Sequence, residues 1–130
     1  MNERQNVPAH GGLQISTRRD GTAVVVAVAG EIDLNTAPEL HSAIEKALGQ
    51  TRAGACVLDL TGVTFLGSPG LTTLLEAANH AEELGEPLRI VVDATRPVIR
   101  PIEMTGLDHI LSLYHAVEDA LAAVRDRQDS

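Results

Sequence analysis

The stretch DLTGVTFLGSPGLTTLL, from Asp59 to Leu75, joins a buried strand to a helix and decides how the chain folds. The apolar run from Ala55 to Leu60 predicts the strand, which ends in a turn. Ser68 followed by Pro69 predicts the start of the helix. Serine at the N-cap accepts an unpaired backbone N–H, and proline at the next position has no needed N–H to lose. A helix N-terminus also favours an anion, so we place the functional site at Ser68.

The sequence on both sides of this stretch predicts a sheet of five strands with four helices. Asp20-Gly21 predicts a hairpin turn, so the first two strands are antiparallel, and helical crossovers make the later strands parallel. The fold class is therefore α/β, with a mixed, mostly parallel sheet and an antiparallel N-terminal strand pair. The predicted strands are Leu13–Thr17, Ala23–Ala29, Ala55–Leu60, Leu88–Val92 and Ile110–Tyr114. The predicted helices run from Thr36 to Gly49, Ser68 to Gly85, Pro97 to Thr105 and Ala116 to Arg127.

Details of these helices can also be predicted. Thr36 and Glu39 have the spacing of a capping box at the start of the first helix. Thr95 is expected to cap the third helix, and Pro101 to kink or delay it. In the helix after Ser68, the predicted buried stripe is Leu71, Leu74, Leu75, Ala78 and Ala81. The positions predicted to face water are Thr72, Thr73, Glu76, Asn79 and Glu83.

Length and composition favour a single regulatory binding domain. The 130 residues predict a flexible lead-in over 1–12 and one domain over 13–127. A net charge of −8 and only 2% aromatic residues argue against direct nucleic-acid binding and favour a partner with a basic surface. A single cysteine, no secretory signal and no apolar run of about 20 residues predict a cytoplasmic protein without a membrane segment.

Residues that could carry other chemistry form weaker patterns. Gly62 and Gly67 have the glycine spacing of a phosphate-binding loop, but the required lysine is missing. The five histidines have no ligand-like spacing, so we predict neither metal nor cofactor, and no serine–histidine–acid arrangement indicates a catalytic site. Cys56 falls in a buried strand and is expected to be inert. Asp33 and Asp59 follow strands at the edge where such sheets bind ligands, although we favour their role as turn or capping acids.

Three ordered blocks resemble the STAS domain of bacterial anti-sigma-factor antagonists over roughly residues 13 to 125. The segment from Asp59 to Leu71 resembles the family signature. Gly30-Glu31-Ile32-Asp33-Leu34 with Ala37-Pro38-Glu39-Leu40 resembles the second block, and Thr105-Gly106-Leu107-Asp108 resembles the third. The resemblance implies a mixed sheet with helices largely on one side. It also implies a protein that binds an anti-sigma factor when unphosphorylated and thereby frees a sigma factor.

In this family the anti-sigma factor is often also a Ser/Thr kinase, and its acceptor serine opens the second helix. The resemblance therefore implies that Ser68 is the phosphorylation site. The partner-binding residues predicted around it are Asp33, Gly67, Ser68, Pro69, Thr72, Thr73 and Glu76. Family members usually have an acid before the acceptor and a second serine after it, where this chain has Gly67 and Pro69. Two alternatives thus remain: a module that is regulated by a ligand or by protein level without phosphorylation, and a nucleotide-binding protein.

Overall fold

The computed structural model describes residues 12–51, 55–93 and 96–128. The predicted lead-in up to residue 11 and the predicted cap at Thr95 lie outside the described residues. The strands are β1 (Gln14–Asp20), β2 (Ala23–Ile32), β3 (Cys56–Leu66), β4 (Arg89–Val91) and β5 (Ser112–Tyr114). The helices are α1 (Ala37–Gln50), α2 (Ser68–Glu83), α3 (Arg96–Met104) and α4 (Val117–Gln128), with a short 3-10 helix over Leu107–His109.

The five strands form one sheet in the order β1-β2-β3-β4-β5. β1 and β2 are antiparallel across the Gly21 turn, and every later pair is parallel, as the sequence predicted. When parallel strands are added in one direction with crossovers of the usual right hand, the crossover helices fall on the same face of the sheet. That face carries α1, α2 and α3, whereas α4 follows the last strand and packs on the other face.

Alternate residues of the central strands supply the two cores, because successive side chains of a strand point to opposite faces. On the face that carries α1 to α3, Val24, Val26 and Val28 of β2 join Leu58 and Leu60 of β3 in the larger core. On the other face, Ala23, Val25, Val57 and Val91 pack against Ala120, Leu121 and Val124 of α4. Both central strands are therefore buried on two sides, which explains their nearly continuous apolar sequence.

A small ion-pair network joins β4 to the end of α4. Arg89 opens β4, and its side chain is only 4% exposed. Its Nη1 lies 3.2 Å from Oε1 of Glu86, and the other carboxylate oxygen of Glu86 accepts a 2.9 Å hydrogen bond from Nε of Arg127. Glu86 thus compensates a buried cation on one side and a half-exposed cation on the other.

Strand β3 is much longer than predicted. It continues six residues beyond Leu60 and pairs with β2 as far as the Ile32–Leu66 pair. In contrast, β4 and β5 have three residues each, and β4 pairs only with Val57–Asp59. The predicted turn after Leu60 is wrong because the polar segment stays paired with β2, and two register shifts in this pairing leave every third residue, Val63 and then Leu66, facing the core.

The predicted capping box at α1 is also wrong, although Thr36 is the N-cap residue. Its hydroxyl turns back toward the end of β2, where it donates to the Glu31 carbonyl at 2.7 Å and accepts from the Asp33 N–H at 2.9 Å. Glu39 accepts a 3.4 Å hydrogen bond from the Leu13 N–H instead of capping its own helix. The helix start is thus attached to the end of β2 and to Leu13, the residue that precedes β1.

Helix α3 is continuous through Pro101, so this proline does not delay the helix start.

Candidate functional site

The Ser68 turn is attached directly to the end of β2. Ile32 and Leu66 are paired residues at the ends of the two long central strands. The Gly67 N–H then donates a 2.9 Å hydrogen bond to the Ile32 carbonyl. Because Asp33 follows Ile32, this bond brings the loop before α1 and the start of α2 to one edge of the sheet.

Ser68 is the first residue of α2 and is exposed, whereas Gly67 is the N-cap. The prediction that Ser68 caps the helix is wrong, since no side chain makes a cap hydrogen bond there. The N–H groups of Gly70 and Leu71 both donate to the Gly67 carbonyl, at 2.9 and 3.1 Å. Pro69 has no N–H. The exposed Ser68 hydroxyl makes no hydrogen bond within the described residues, so it is available to a partner molecule.

Gly70 determines which face of α2 is buried. A β-carbon at this position would lie 2.5 Å from Leu66 Cδ1 and 2.6 Å from Ile32 Cγ2, so only glycine allows this approach. The helix therefore turns the Gly70 side toward the sheet. The buried residues of α2 are Gly70, Thr73, Leu74, Ala77 and Ala81.

This orientation corrects the predicted set of partner-binding residues. Thr73 was expected to face water, but it is only 7% exposed and lies in the buried stripe. Thr72 and Glu76 are exposed on the same helix, and Pro69 is half-buried at its start. Of the predicted α2 residues, Thr73 alone is therefore unavailable to a partner. The predicted buried stripe was rotated around the helix axis relative to the observed one, because sequence periodicity alone did not reveal the contact of Gly70 with Leu66 and Ile32.

Asp33 is a turn acid, which was the interpretation we favoured for it from the sequence. Its Oδ1 accepts hydrogen bonds from the N–H groups of Asn35, at 2.9 Å, and Thr36, at 3.0 Å. The side chain is half-buried beside the Gly67 turn. Asp59 behaves similarly, since its Oδ1 accepts from both the N–H and the hydroxyl of Thr61.

Exposed apolar side chains border the Ser68 turn, and sequence reasoning missed them. Phe65 is 49% exposed, and its ring edge lies 3.1 Å from where a Gly67 β-carbon would stand. Leu34, in the loop after β2, is 75% exposed, and Met104, at the end of α3, is 74% exposed. The sequence could have indicated these side chains, because each is an apolar residue at a position where a polar residue would be expected.

The glycine spacing between Gly62 and Gly67 does not form a phosphate-binding loop. Gly62 lies within β3, and all residues from there to Leu66 belong to the strand. A β-carbon on Gly62 would stand 2.9 Å from the Ala29 β-carbon, so close strand packing accounts for this glycine. The loop on which the nucleotide-binding alternative depends is therefore not present.

Other candidate chemistry has no assembled site in the described ranges. Cys56 is buried, and burial raises the pKa of its thiol from 9.0 to about 12, so the thiolate is disfavoured. Within residues 12–51, 55–93 and 96–128, no group of three or more His, Cys, Asp or Glu side chains could hold a metal ion. In the same part of the chain, no helix has the length and apolar character needed to span a membrane.

Comparisons with known proteins place the chain in context. Residues 15–114 match the family described as "Mlab, STAS domain". The chain is 41% identical over 105 residues to the anti-sigma-F factor antagonist RsfB of Mycobacterium tuberculosis, which covers 78% of this chain and 80% of that protein. It is 31% identical over 96 residues to the anti-sigma-B factor antagonist of Listeria monocytogenes, covering 73% and 82%. The crystal structure of an anti-sigma factor antagonist from Mycobacterium paratuberculosis has a TM-score of 0.79 and 37% identity, covering 92% of this chain and 99% of that one.

Proposed function

Because this chain belongs to the STAS domain family, we propose that it is an anti-sigma-factor antagonist whose activity is switched by phosphorylation of Ser68. The unphosphorylated chain binds an anti-sigma factor in the cytoplasm and so releases a sigma factor. It acts by binding and not as an enzyme. It needs no cofactor for this, and it touches neither nucleic acid nor membrane directly.

The observation that carries the proposal is the exposed Ser68 hydroxyl at the first residue of α2. Exposed Thr72 and Glu76 lie on the same helix, and Asp33 lies at the turn that Gly67 contacts through Ile32. These residues, with Gly67 and Pro69, form the proposed partner surface. The hydrogen bond from Gly67 to Ile32 joins the loop that carries Asp33 to the start of α2, and such pre-organisation lowers the entropic cost of binding.

Phosphorylation would change the charge of this surface even though a helix N-terminus favours an anion. A phosphoserine adds about −1.5 to −2 charges at neutral pH. Two of the first N–H groups of α2 already bond to the Gly67 carbonyl, and Pro69 has none to offer. The phosphate therefore faces the partner, where a closely packed interface that cannot pair it loses several kcal/mol of binding free energy.

At Gly67 and Pro69 the sequence differs from the usual family pattern of an acid before the acceptor serine and a second serine after it. This difference favours one alternative, a module of the same family that binds its partner without being phosphorylated. In that case the anti-sigma factor would be released by a ligand or by a change in protein level. A kinase that needs an acid before its acceptor serine would find none here. Both proposals assign the chain the same antagonist function. They differ in how that function is regulated, by phosphorylation of Ser68 or by other means.

A capture experiment tests both proposals. The purified chain and its Ser68→Asp variant are used as baits in the native cytoplasm, and the captured proteins are identified. We expect the unmodified chain to capture an anti-sigma factor and Ser68→Asp to capture much less. The captured factor is then incubated with the chain and ATP, and Ser68 is examined for phosphate by mass spectrometry.

The possible outcomes separate the alternatives. Capture by both baits, with no phosphate on Ser68, would favour the unphosphorylated module. Capture of no anti-sigma factor by either bait would contradict the antagonist function itself. Steady hydrolysis of ATP, GTP or simple esters that is lost in Ser68→Ala would contradict a purely binding role.

A further inference from the structure

We propose that the groove between α2 and α3 binds an apolar side chain of the anti-sigma factor, and that Arg100 pairs with a neighbouring carboxylate of that factor. This inference rests on the proposed antagonist function and identifies which surface chemistry the partner must present. The groove has a volume of about 400 Å³ and an almost wholly apolar lining. Its apolar lining residues are Phe65, Leu66, Leu71, Pro97, Pro101 and Met104.

The groove exists because β3 extends beyond β4. Past Asp59, no strand among the described residues pairs with the β4 side of β3, and α3 packs there instead. Val98 and Ile102 attach α3 to the main core and are 3% and 0% exposed. Met104, two residues later, is 74% exposed, so the apolar character of α3 continues beyond what the core needs.

The groove is continuous with the surface around Ser68. Leu71 is one helical turn after Ser68, so the two residues lie on neighbouring parts of the same helix face. On the other side, the Phe65 ring packs on Gly67, the N-cap of that helix. A partner that covers Ser68 can therefore also contact the groove within one continuous interface.

The charge at the groove identifies the second feature of the partner. Arg100 lines the groove and is exposed, and it makes no hydrogen bond or ion pair with any residue in the described part of the chain. An unpaired guanidinium beside an apolar floor is suited to bidentate pairing with a carboxylate. The complementary partner segment thus carries a Leu, Ile, Met or Phe side chain next to Asp or Glu. The groove thus favours an acidic partner segment, whereas the chain's net charge of −8 favours a partner with a basic surface.

Two pairs of variants test the groove with the purified anti-sigma factor that the unmodified chain captures. Met104→Ser removes an apolar groove residue, and Leu84→Ser is its control, because Leu84 is 56% exposed at the far end of α2. Arg100→Glu reverses the groove charge, and Arg125→Glu on α4, on the opposite face of the sheet, is its control. All four positions are exposed, and circular dichroism and melting temperature verify that each variant is folded.

We expect Met104→Ser and Arg100→Glu each to raise the dissociation constant about tenfold or more, with both controls within about twofold of the unmodified chain. If all four variants bind like the unmodified chain while Ser68→Asp binds weakly, the groove proposal is overturned and the antagonist function stands. If the Arg125 and Leu84 controls weaken binding as much as the groove variants, the groove proposal is likewise overturned. If no anti-sigma factor binds the unmodified chain, both proposals fail together.

Discussion

Gly70 of α2 lies so close to Ile32 of β2 that an added β-carbon would stand 2.6 Å from Ile32 Cγ2. Ile32 also accepts the hydrogen bond of Gly67, so one residue of β2 holds the turn before Ser68 and the first turn of the helix after it. The position of the Ser68 hydroxyl therefore depends on a contact between two residues that are 38 positions apart, and the glycine is required by packing.

Gly70→Ala should reduce the free energy of unfolding by about 1–3 kcal/mol, because the methyl group must displace Ile32 and Leu66 in a closed core. Gly49→Ala is the matched control. Gly49 is also helical, but a β-carbon there meets nothing within 4 Å, so alanine should stabilise the protein by about 0.4–1 kcal/mol. Urea denaturation measures both. Equal stability of the Gly70→Ala variant and the unmodified protein would contradict this packing.

Ser68→Ala should leave stability within about 0.5 kcal/mol of the unmodified chain, because the hydroxyl makes no cap hydrogen bond. It should retain full affinity for the anti-sigma factor and remain active when kinase is present. Ser68→Asp should fold equally well, since a carboxylate is favourable at a helix N-terminus, but bind weakly. Calorimetric titration and thermal melting separate the two effects.

Ser42→Asp is the control for the added charge, since Ser42 is exposed on α1 and is not one of the residues of the proposed partner surface. It should bind like the unmodified chain. Tight binding by Ser68→Asp, or equal weakening by Ser42→Asp, would show that the charge at position 68 is no switch.

Glu86→Ala should cost about 3–5 kcal/mol of stability, because it leaves the buried Arg89 guanidinium without its carboxylate. Arg127→Ala should cost at most about 1 kcal/mol, since the side chain is 54% exposed and its ion pair is screened by water. Guanidinium chloride is unsuitable because it screens charges, so urea denaturation is the measurement. Similar losses in the two variants would contradict the unequal roles assigned to the two arginines.

Stability should fall at alkaline pH through Cys56. Burial raises the pKa of its thiol to about 12, so between pH 9 and 12 the unfolded chain releases this proton while the folded chain keeps it. The unfolded state then binds fewer protons, and the free energy of unfolding falls by up to about 1.4 kcal/mol per pH unit from this group. Below pH 9 the group should have no such effect.

The Cys56→Ala variant isolates this contribution from other alkaline titrations. Its free energy of unfolding, measured by urea denaturation from pH 8 to 11, should fall less steeply than that of the unmodified chain. At pH 8 the folded thiol should also resist alkylation until denaturant is added. Parallel pH profiles for the two proteins would contradict the assignment to Cys56.

The sequence predicted the architecture well because its signals were local and repeated. The Asp20-Gly21 turn, the valine-rich strands and the helix ends define the element order, and the mixed sheet that follows is confirmed. The predicted family is confirmed by the match over residues 15–114. The antiparallel first pair follows from a two-residue turn alone.

The site details depended on contacts between distant residues and were predicted less well. Thr73 was placed on the wrong face because contacts with Ile32 and Leu66 determine which side of α2 faces the sheet. The strand end at Leu66 was missed because Thr61, Gly62 and Thr64 resemble a turn in sequence. All three nevertheless lie within β3, where Gly62 pairs with Ala29 of β2 and the two threonines fall at shifts in the register. The apolar groove beside Ser68 was not predicted, since no local pattern indicates that α3 lies against the free edge of β3.

The strictly sequential order of the strands determines how the sheet can form during translation. Each strand after β1 pairs with the strand that precedes it in the chain, so every new strand emerges when its neighbour has already been synthesised. No early strand edge must wait for a distant segment, which shortens the exposure of a sheet edge to aggregation on the ribosome. The Ser68 surface is complete once α3 has emerged, whereas the second face of the sheet stays uncovered until α4 is released. Of the elements described, α4 is thus the last to emerge, and it closes the smaller core.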